Sequence, residues 1–174
     1  MDILQALIDL APEGLMLELG VGGGGTITNI ANRTPRTVWG FDWFHGLPET
    51  WDEWDKAGAF TQHGEIPVVP DNVKIVSGLI QQSLPVFLSR HFERVAFVHF
   101  DLDLYSATSF ALMAMNKRFA HGAILVFDEI VDRQRNLDNE GKAFCEFLTA
   151  TNYCAEYLCY TRSVESLAFR LLTV

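Results

Sequence analysis

The sequence predicts an α/β fold: a mostly parallel sheet of seven strands, with helices on both faces and the last strand antiparallel. Three observations predict it. Short apolar runs rich in Val, Ile, Leu and Phe alternate with helical patterns. Those runs lack polar alternation, as do strands covered on both faces. Beyond residue 150 the pattern changes, and Tyr153–Tyr160 and Val164–Leu172 flank a short turn and read as an antiparallel pair.

Met1 to Leu10 reads as a short amphipathic helix, with Ile3, Leu4, Leu7 and Ile8 on one side. It carries Asp2 and Asp9 and no basic stretch, unlike a secretory signal. Strands are expected at Leu15–Leu19, Thr37–Phe41, Val73–Val76, Val95–Phe100 and Ala123–Phe127, and helices at about 25–33, 83–92, 105–119 and 138–150. Ser83 reads as a helix N-cap with Pro85 in the first turn, and Asp138 as another cap. Residues 43–70 hold Trp51, Trp54, Phe60, His45, His63 and three prolines without a clear period. Structured loops this long often cover active sites, so a lid inserted in a single domain 1–174 is expected. The alternative is a helix near 49–57 that packs its two Trp on the body.

The chain has 174 residues, enough for one domain with one sizeable core. Its formal net charge of −9 disfavours nucleic acid and anionic membranes as partners. No apolar run approaches the roughly 20 residues of a membrane span. Three cysteines, Cys145, Cys154 and Cys159, give neither an even disulfide framework nor a CxxC spacing. Reduced cysteines in a cytoplasmic protein are expected, with a homo-oligomer as a candidate assembly.

Acidic residues fall at the predicted carboxyl ends of the strands: Glu18, Asp42, Asp101 and the pair Asp128-Glu129. Ligands of open α/β sheets bind outside that edge. Glu18 leads into Leu19-Gly20-Val21-Gly22-Gly23-Gly24-Gly25. Glycines there allow positive φ and leave no Cβ between ligand and backbone, and the helix that follows aims free N–H groups at a nucleotide-like ligand. Gly20, Gly22 and Gly25 satisfy GxGxxG, the dinucleotide fingerprint. Glu18, Gly20, Gly22 and Gly24 equally satisfy the ExGxGxG turn of S-adenosylmethionine enzymes. A nicotinamide enzyme normally needs a second mononucleotide half; the terminal antiparallel pair fits the other option. Asp42, in Trp39-Gly40-Phe41-Asp42, stands where a carboxylate accepts both hydroxyls of a ribose.

The second cluster is His99-Phe100-Asp101-Leu102-Asp103-Leu104-Tyr105. If the fourth and fifth strands are neighbours, their tips bring Asp101, Asp128 and Glu129 together. Like charges raise one another's pKa, and a hard divalent cation such as Mg²⁺ relieves that repulsion. The alternative is that the outer carboxylates cap helices or face solvent. His99 reads as a core histidine, and His121 as a helix C-terminal residue.

Four stretches resemble the class I S-adenosylmethionine-dependent methyltransferases, and among them the macrocin and novobiocin type of sugar O-methyltransferase. They are the glycine turn; Gly40-Phe41-Asp42-Trp43-Phe44-His45-Gly46-Leu47-Pro48-Glu49-Thr50-Trp51; Gly78 to Pro85; and His99 to Thr108, with Asp128-Glu129 in place of the usual Asp-Asp. The match spans roughly 15–150. The resemblance implies a Rossmann-like fold and methyl transfer to a hydroxyl of a small molecule. It implies that Glu18, Gly20, Gly22 and Gly24 hold the methionine part of S-adenosyl-L-methionine, that Asp42 binds its ribose, and that Ser77, Gly78 and Leu79 frame its adenine. It also implies that Asp101, Asp128 and Glu129 bind Mg²⁺.

Two departures stand beside the resemblance. Leu104 occupies the position of a Lys in catechol-type relatives, so Asp103 or His45 is nominated as general base. Only about 14 residues precede the first strand where the relatives carry a long region, so segment 43–70, a large substrate or a partner subunit is expected to complete the site. A methyltransferase-like module without turnover and a small nicotinamide oxidoreductase are the competing readings.

Overall fold

The computed structural model describes residues 3–128, 130, 138–161 and 166–173. In chain order the elements are α1 Ile3–Leu10, β1 Leu15–Leu19, α2 Gly25–Ala31, β2 Val38–Asp42, β3 Val73–Ser77, α3 Ile80–Leu88, β4 Val95–Phe100, α4 Tyr105–Ala114, β5 Phe119–Phe127, α5 Glu140–Ala150, β6 Tyr153–Thr161 and β7 Ser166–Thr173. The seven strands form one sheet in the order β3-β2-β1-β4-β5-β7-β6. Neighbours from β3 to β5 pair in parallel, and β7 runs antiparallel to both β5 and β6. The expected architecture is therefore present.

Strand pleating divides the core. Leu15, Leu17, Leu19, Val98 and Phe100 face α3, α4 and α5, and pack with Leu84, Phe87, Leu112 and Phe144. Met16, Phe97, Ile124 and Val126 face the other way, against Leu7 and Ile8 of α1 and Ile27 and Ile30 of α2. Both faces of β1 and β4 are fully covered, which explains why each is apolar but for one residue, Glu18 in β1 and His99 in β4.

Several local expectations are corrected. Helix α3 starts at Ile80, so Ser83 is no N-cap; its hydroxyl donates back to the Leu79 carbonyl at 3.0 Å. Pro85 consequently lies inside the helix, beyond the first turn. Helix α5 is preceded by Asn139, not Asp138, as its capping position. Strand β5 starts at Phe119, so His121 sits in a strand, where its ring bonds the Thr173 hydroxyl at 2.9 Å. No helix forms near 49–57. Trp51 packs on the core, whereas Trp54 is exposed. Among the described residues no helix is long and apolar enough to cross a membrane.

Candidate active site

The hydrogen-bond ladder of the sheet continues one residue past the strand tips. The Gly20 N–H donates to the Phe41 carbonyl (2.8 Å), Asp101 to Leu19 (2.8 Å), Asp128 to Phe100 (3.0 Å) and Gly78 to Asp42 (2.9 Å). These bonds fix the backbone at each position that carries chemistry. Gly20 has φ +91°, and a Cβ there would lie 1.8 Å from the Asp101 carbonyl oxygen. Only glycine fits that crossing of β1 and β4.

Outside this edge lies a cavity of about 460 Å³, within the range of small-molecule sites. Gly20, Gly22, Asp42, Gly78, Leu79, Asp101 and Asp103 line it, all nominated from the sequence. Segment 43–70 supplies the facing wall through Trp43, Gly46, Leu47, Pro48, Phe60 and Gln62. The segment is pinned from α4, where the Ser106 hydroxyl donates to Glu49 Oε1 at 2.5 Å. Among the described residues the charged lining residues are Asp42, Asp101 and Asp103, with no Lys or Arg beside them. Such a cavity attracts cations and repels phosphates.

Asp42 does more than the sequence suggested. Its Oδ2 accepts the N–H groups of Val21 (2.9 Å) and Gly22 (2.8 Å), and its Oδ1 accepts that of Phe44 (2.7 Å). A carboxylate offers about four lone-pair positions. Two are committed to the glycine turn and one to the Phe44 N–H, which leaves one for a ribose hydroxyl and not two.

Asp103 lies at the centre of a three-residue turn. The Leu104 N–H donates to the Leu102 carbonyl at 2.6 Å, and Asp103 has φ 61°. Turns of this kind are strained, and strain of this kind concentrates at functional sites. The buried Glu140, first residue of α5, braces the turn by accepting the Leu102 N–H at 3.3 Å.

Five nominated side chains stand outside the cavity wall. Ser77 and Gly24 flank it; Pro67 packs over Gly24. His45 stands edge-on to Trp43, with ring centroids 5.2 Å apart, and packs against Gly64. It is exposed and does not line the cavity. Glu18 has no exposed surface, so its carboxylate touches nothing in the cavity. The reason is strand parity: Glu18 shares the face of Met16, beneath α2, while the backbone of the turn reaches the edge. Asp128 lies on the tip of β5, beyond the lining residues. Glu129 lies outside the described residues.

Glu18 and Asp128 meet through His99. Its Nδ1 is 3.4 Å from Glu18 Oε1 and its Nε2 is 3.7 Å from Asp128 Oδ1. Burial alone would lower the His99 pKa, but the Asp128 and Glu18 carboxylates outweigh it and push it up to about 10. Burial raises the Glu18 pKa, with His99 opposing. Ser166 of β7 donates to Asp128 Oδ1 at 2.9 Å.

A hard cation would need oxygen donors on one edge. Asp101 and Asp128 meet that condition, since each directly follows one of the paired residues Phe100 and Phe127. Among the described residues no group of three or more His, Cys, Asp or Glu is placed to hold a metal.

This geometry agrees with sequence and structure comparisons. The model of the macrocin O-methyltransferase family, TylF, matches residues 2–144. The chain belongs to that family. Membership places it among the S-adenosylmethionine-dependent O-methyltransferases. No curated protein matches the sequence. The fold is similar to that of CalS11, a calicheamicin methyltransferase, with a TM-score of 0.74 and 22% identity over 97% of this chain and 76% of that one. The O-methyltransferase NovP gives 0.70 and 18%, over 99% and 79%. MycE, a methyltransferase solved with Mg and SAH, gives 0.60 and 14%, over 92% and 45%.

Proposed function

We propose that this member of the family transfers a methyl group from S-adenosylmethionine to a hydroxyl of a small molecule, a sugar-bearing natural product, with help from a divalent cation. The observation that carries the reading is the charge of the cavity: among the described residues three Asp and no basic side chain line it. A sulfonium is cationic and suits that lining; the pyrophosphate of a nicotinamide dinucleotide does not. The description of CalS11 as a TDP-rhamnose 3'-O-methyltransferase supports a sugar hydroxyl as the acceptor.

S-adenosylmethionine, when bound, supplies an electrophilic methyl group on sulfur. In this reading the backbone at Gly20 and Gly22 receives its methionine part, Asp42 accepts a ribose hydroxyl with its remaining lone pair, and Gly78 and Leu79 flank the adenine. Asp101 and Asp128 hold the cation, with Glu129 beside them in sequence; a cation there makes the acceptor hydroxyl more acidic. The presence of Mg in the MycE structure supports that assignment by analogy. Asp103, a lining residue on a strained turn, takes the acceptor proton. His45 is not favoured for that task, because it does not line the cavity. Trp43, Leu47, Pro48 and Phe60 form an apolar wall that excludes water and orients the acceptor, so segment 43–70 acts as the lid. Titration calorimetry with S-adenosylhomocysteine and with NADH tests the reading. Binding of the first and not the second is expected, and the reverse result would overturn it.

A further inference from the structure

Of the Glu18–His99–Asp128 contact, only Asp128 takes part in the chemistry above. His99 stands on β4 between β1 and β5, directly opposite Glu18 in one register and Val126 in the other. Glu18, His99 and Asp128 therefore share the sheet face covered by α1 and α2. The three side chains form a row across three strand tips. One end underlies the glycine turn that would receive the cofactor. The other end is Asp128, on the acceptor side of the edge.

Both Glu18 oxygens are buried with no hydrogen-bond partner, and His99 Nδ1, 3.4 Å from one of them, also lacks a bond of ordinary geometry. Leaving such groups unsatisfied is costly, so a slack contact in a buried row needs an explanation. The Asp128 end is slack as well, at 3.7 Å, although Ser166 holds that carboxylate at 2.9 Å. A displacement of the β1 tip changes the first contact and one of the β5 tip the second, and the His99 ring is common to both. Gly20, two residues from Glu18, already abuts the Asp101 carbonyl, so the glycine turn and the β4 tip cannot move independently.

We propose that His99 is a positioning residue that couples the cofactor turn to the β5 carboxylate, so that filling the turn sets the orientation of Asp128. The proposal rests on the methyltransferase reading. His99 itself is buried, absent from the cavity wall, and touches no ligand.

The test is a double-mutant cycle read by S-adenosylhomocysteine affinity. Asp128→Asn should weaken binding by about threefold although Asp128 does not line the cavity, because directly contacting groups show coupling of this order. On a His99→Asn background the same change should have no effect. The Asn amide keeps a polar atom near the Nδ1 position, towards Glu18, and abandons Asp128. His99→Gln, which reaches towards Asp128 instead, should lower affinity by about tenfold or less, through the abandoned Glu18. Additive effects in the cycle, or equal behaviour of the Asn and Gln variants, would overturn the proposal. A second readout needs no His99 variant. In protein labelled with ¹⁵N-histidine, S-adenosylhomocysteine should shift the His99 ring resonances, and Asp128→Asn or Ser166→Ala should diminish the shift. Ring signals that ignore the ligand while it binds would also overturn the coupling. Failure of the wild type to bind S-adenosylhomocysteine would instead overturn the methyltransferase reading.

Discussion

Asp42 Oδ2 accepts the Gly22 N–H at 2.8 Å, so the residue at the tip of β2 shapes the turn that follows β1. A carboxylate expected to face a ligand is first a structural clamp on the loop that surrounds that ligand. Asp42→Ala removes three backbone contacts together with any ribose contact. S-adenosylhomocysteine binding should weaken by about 1.5–3 kcal/mol, the usual worth of hydrogen bonds to a charged group. Unchanged affinity in a folded Asp42→Ala protein would refute both roles. Calorimetry provides the affinity and circular dichroism the folding check.

Asp101 is the second point of attack. It lines the cavity, and its backbone is fixed by the Leu19 carbonyl. Asp101→Ala should abolish methyl transfer yet leave S-adenosylhomocysteine affinity within about twofold, since the carboxylate serves the acceptor side. EDTA should silence the wild type in the same way. Full activity in EDTA would remove the cation from the mechanism.

Asp103 offers a test in which stability and activity move in opposite directions. Its positive φ is relieved by glycine. Asp103→Gly should raise stability by about 1 kcal/mol, the lower end of the cost of such strain. The same change should lower kcat by about 10²-fold or more if the carboxylate takes the acceptor proton. Thermal unfolding and steady-state rates separate the two effects. Full activity in the glycine variant would assign the proton to another group.

The buried row makes stability depend on pH. The folded His99 pKa of about 10 lies above its ordinary 6.5, so the folded chain holds a proton that the unfolded chain releases. That contribution is complete below 6.5 and is lost as pH rises towards 10. Glu18, also raised, acts in the same direction from its ordinary 4.5 upward. The melting temperature should fall between pH 6.5 and 10, and His99→Gln should flatten that slope. An equal slope in both proteins would show that His99 is not charged in the fold.

The sheet was legible where burial on both faces left short runs apolar but for a single residue, Glu18 in β1 and His99 in β4. β1 and β4 match the expected residues for that reason. β5 was read short because Gly122 and His121 interrupt its start, where the pairing with β4 shifts register. The cavity's Gly20, Gly22, Asp42, Gly78, Leu79, Asp101 and Asp103 were legible because loop chemistry is local in sequence. Glu18 was not, because its motif shows the residue but not the face it takes. Its partner His99 follows from cross-strand register alone, and Ser166 and Glu140 reach the tips from distant elements. His99 was correctly read as a core histidine, but its two carboxylate neighbours left no mark in the local pattern.

The wall built by Trp43, Leu47, Pro48 and Phe60 belongs to one continuous stretch that leaves the sheet after β2 and returns before β3. The end of that stretch serves the cofactor side, since Pro67 and Val69 stand against Gly24, whereas the wall comes from residues 43–62. A change of acceptor therefore requires no new catalytic parts. Exchanging residues 45–62 for those of another family member, with Glu49 kept to meet Ser106 and Pro67 left against Gly24, should retarget the enzyme while leaving its affinity for S-adenosylhomocysteine intact. Selection for new products can then proceed by loop replacement on a fixed catalytic frame.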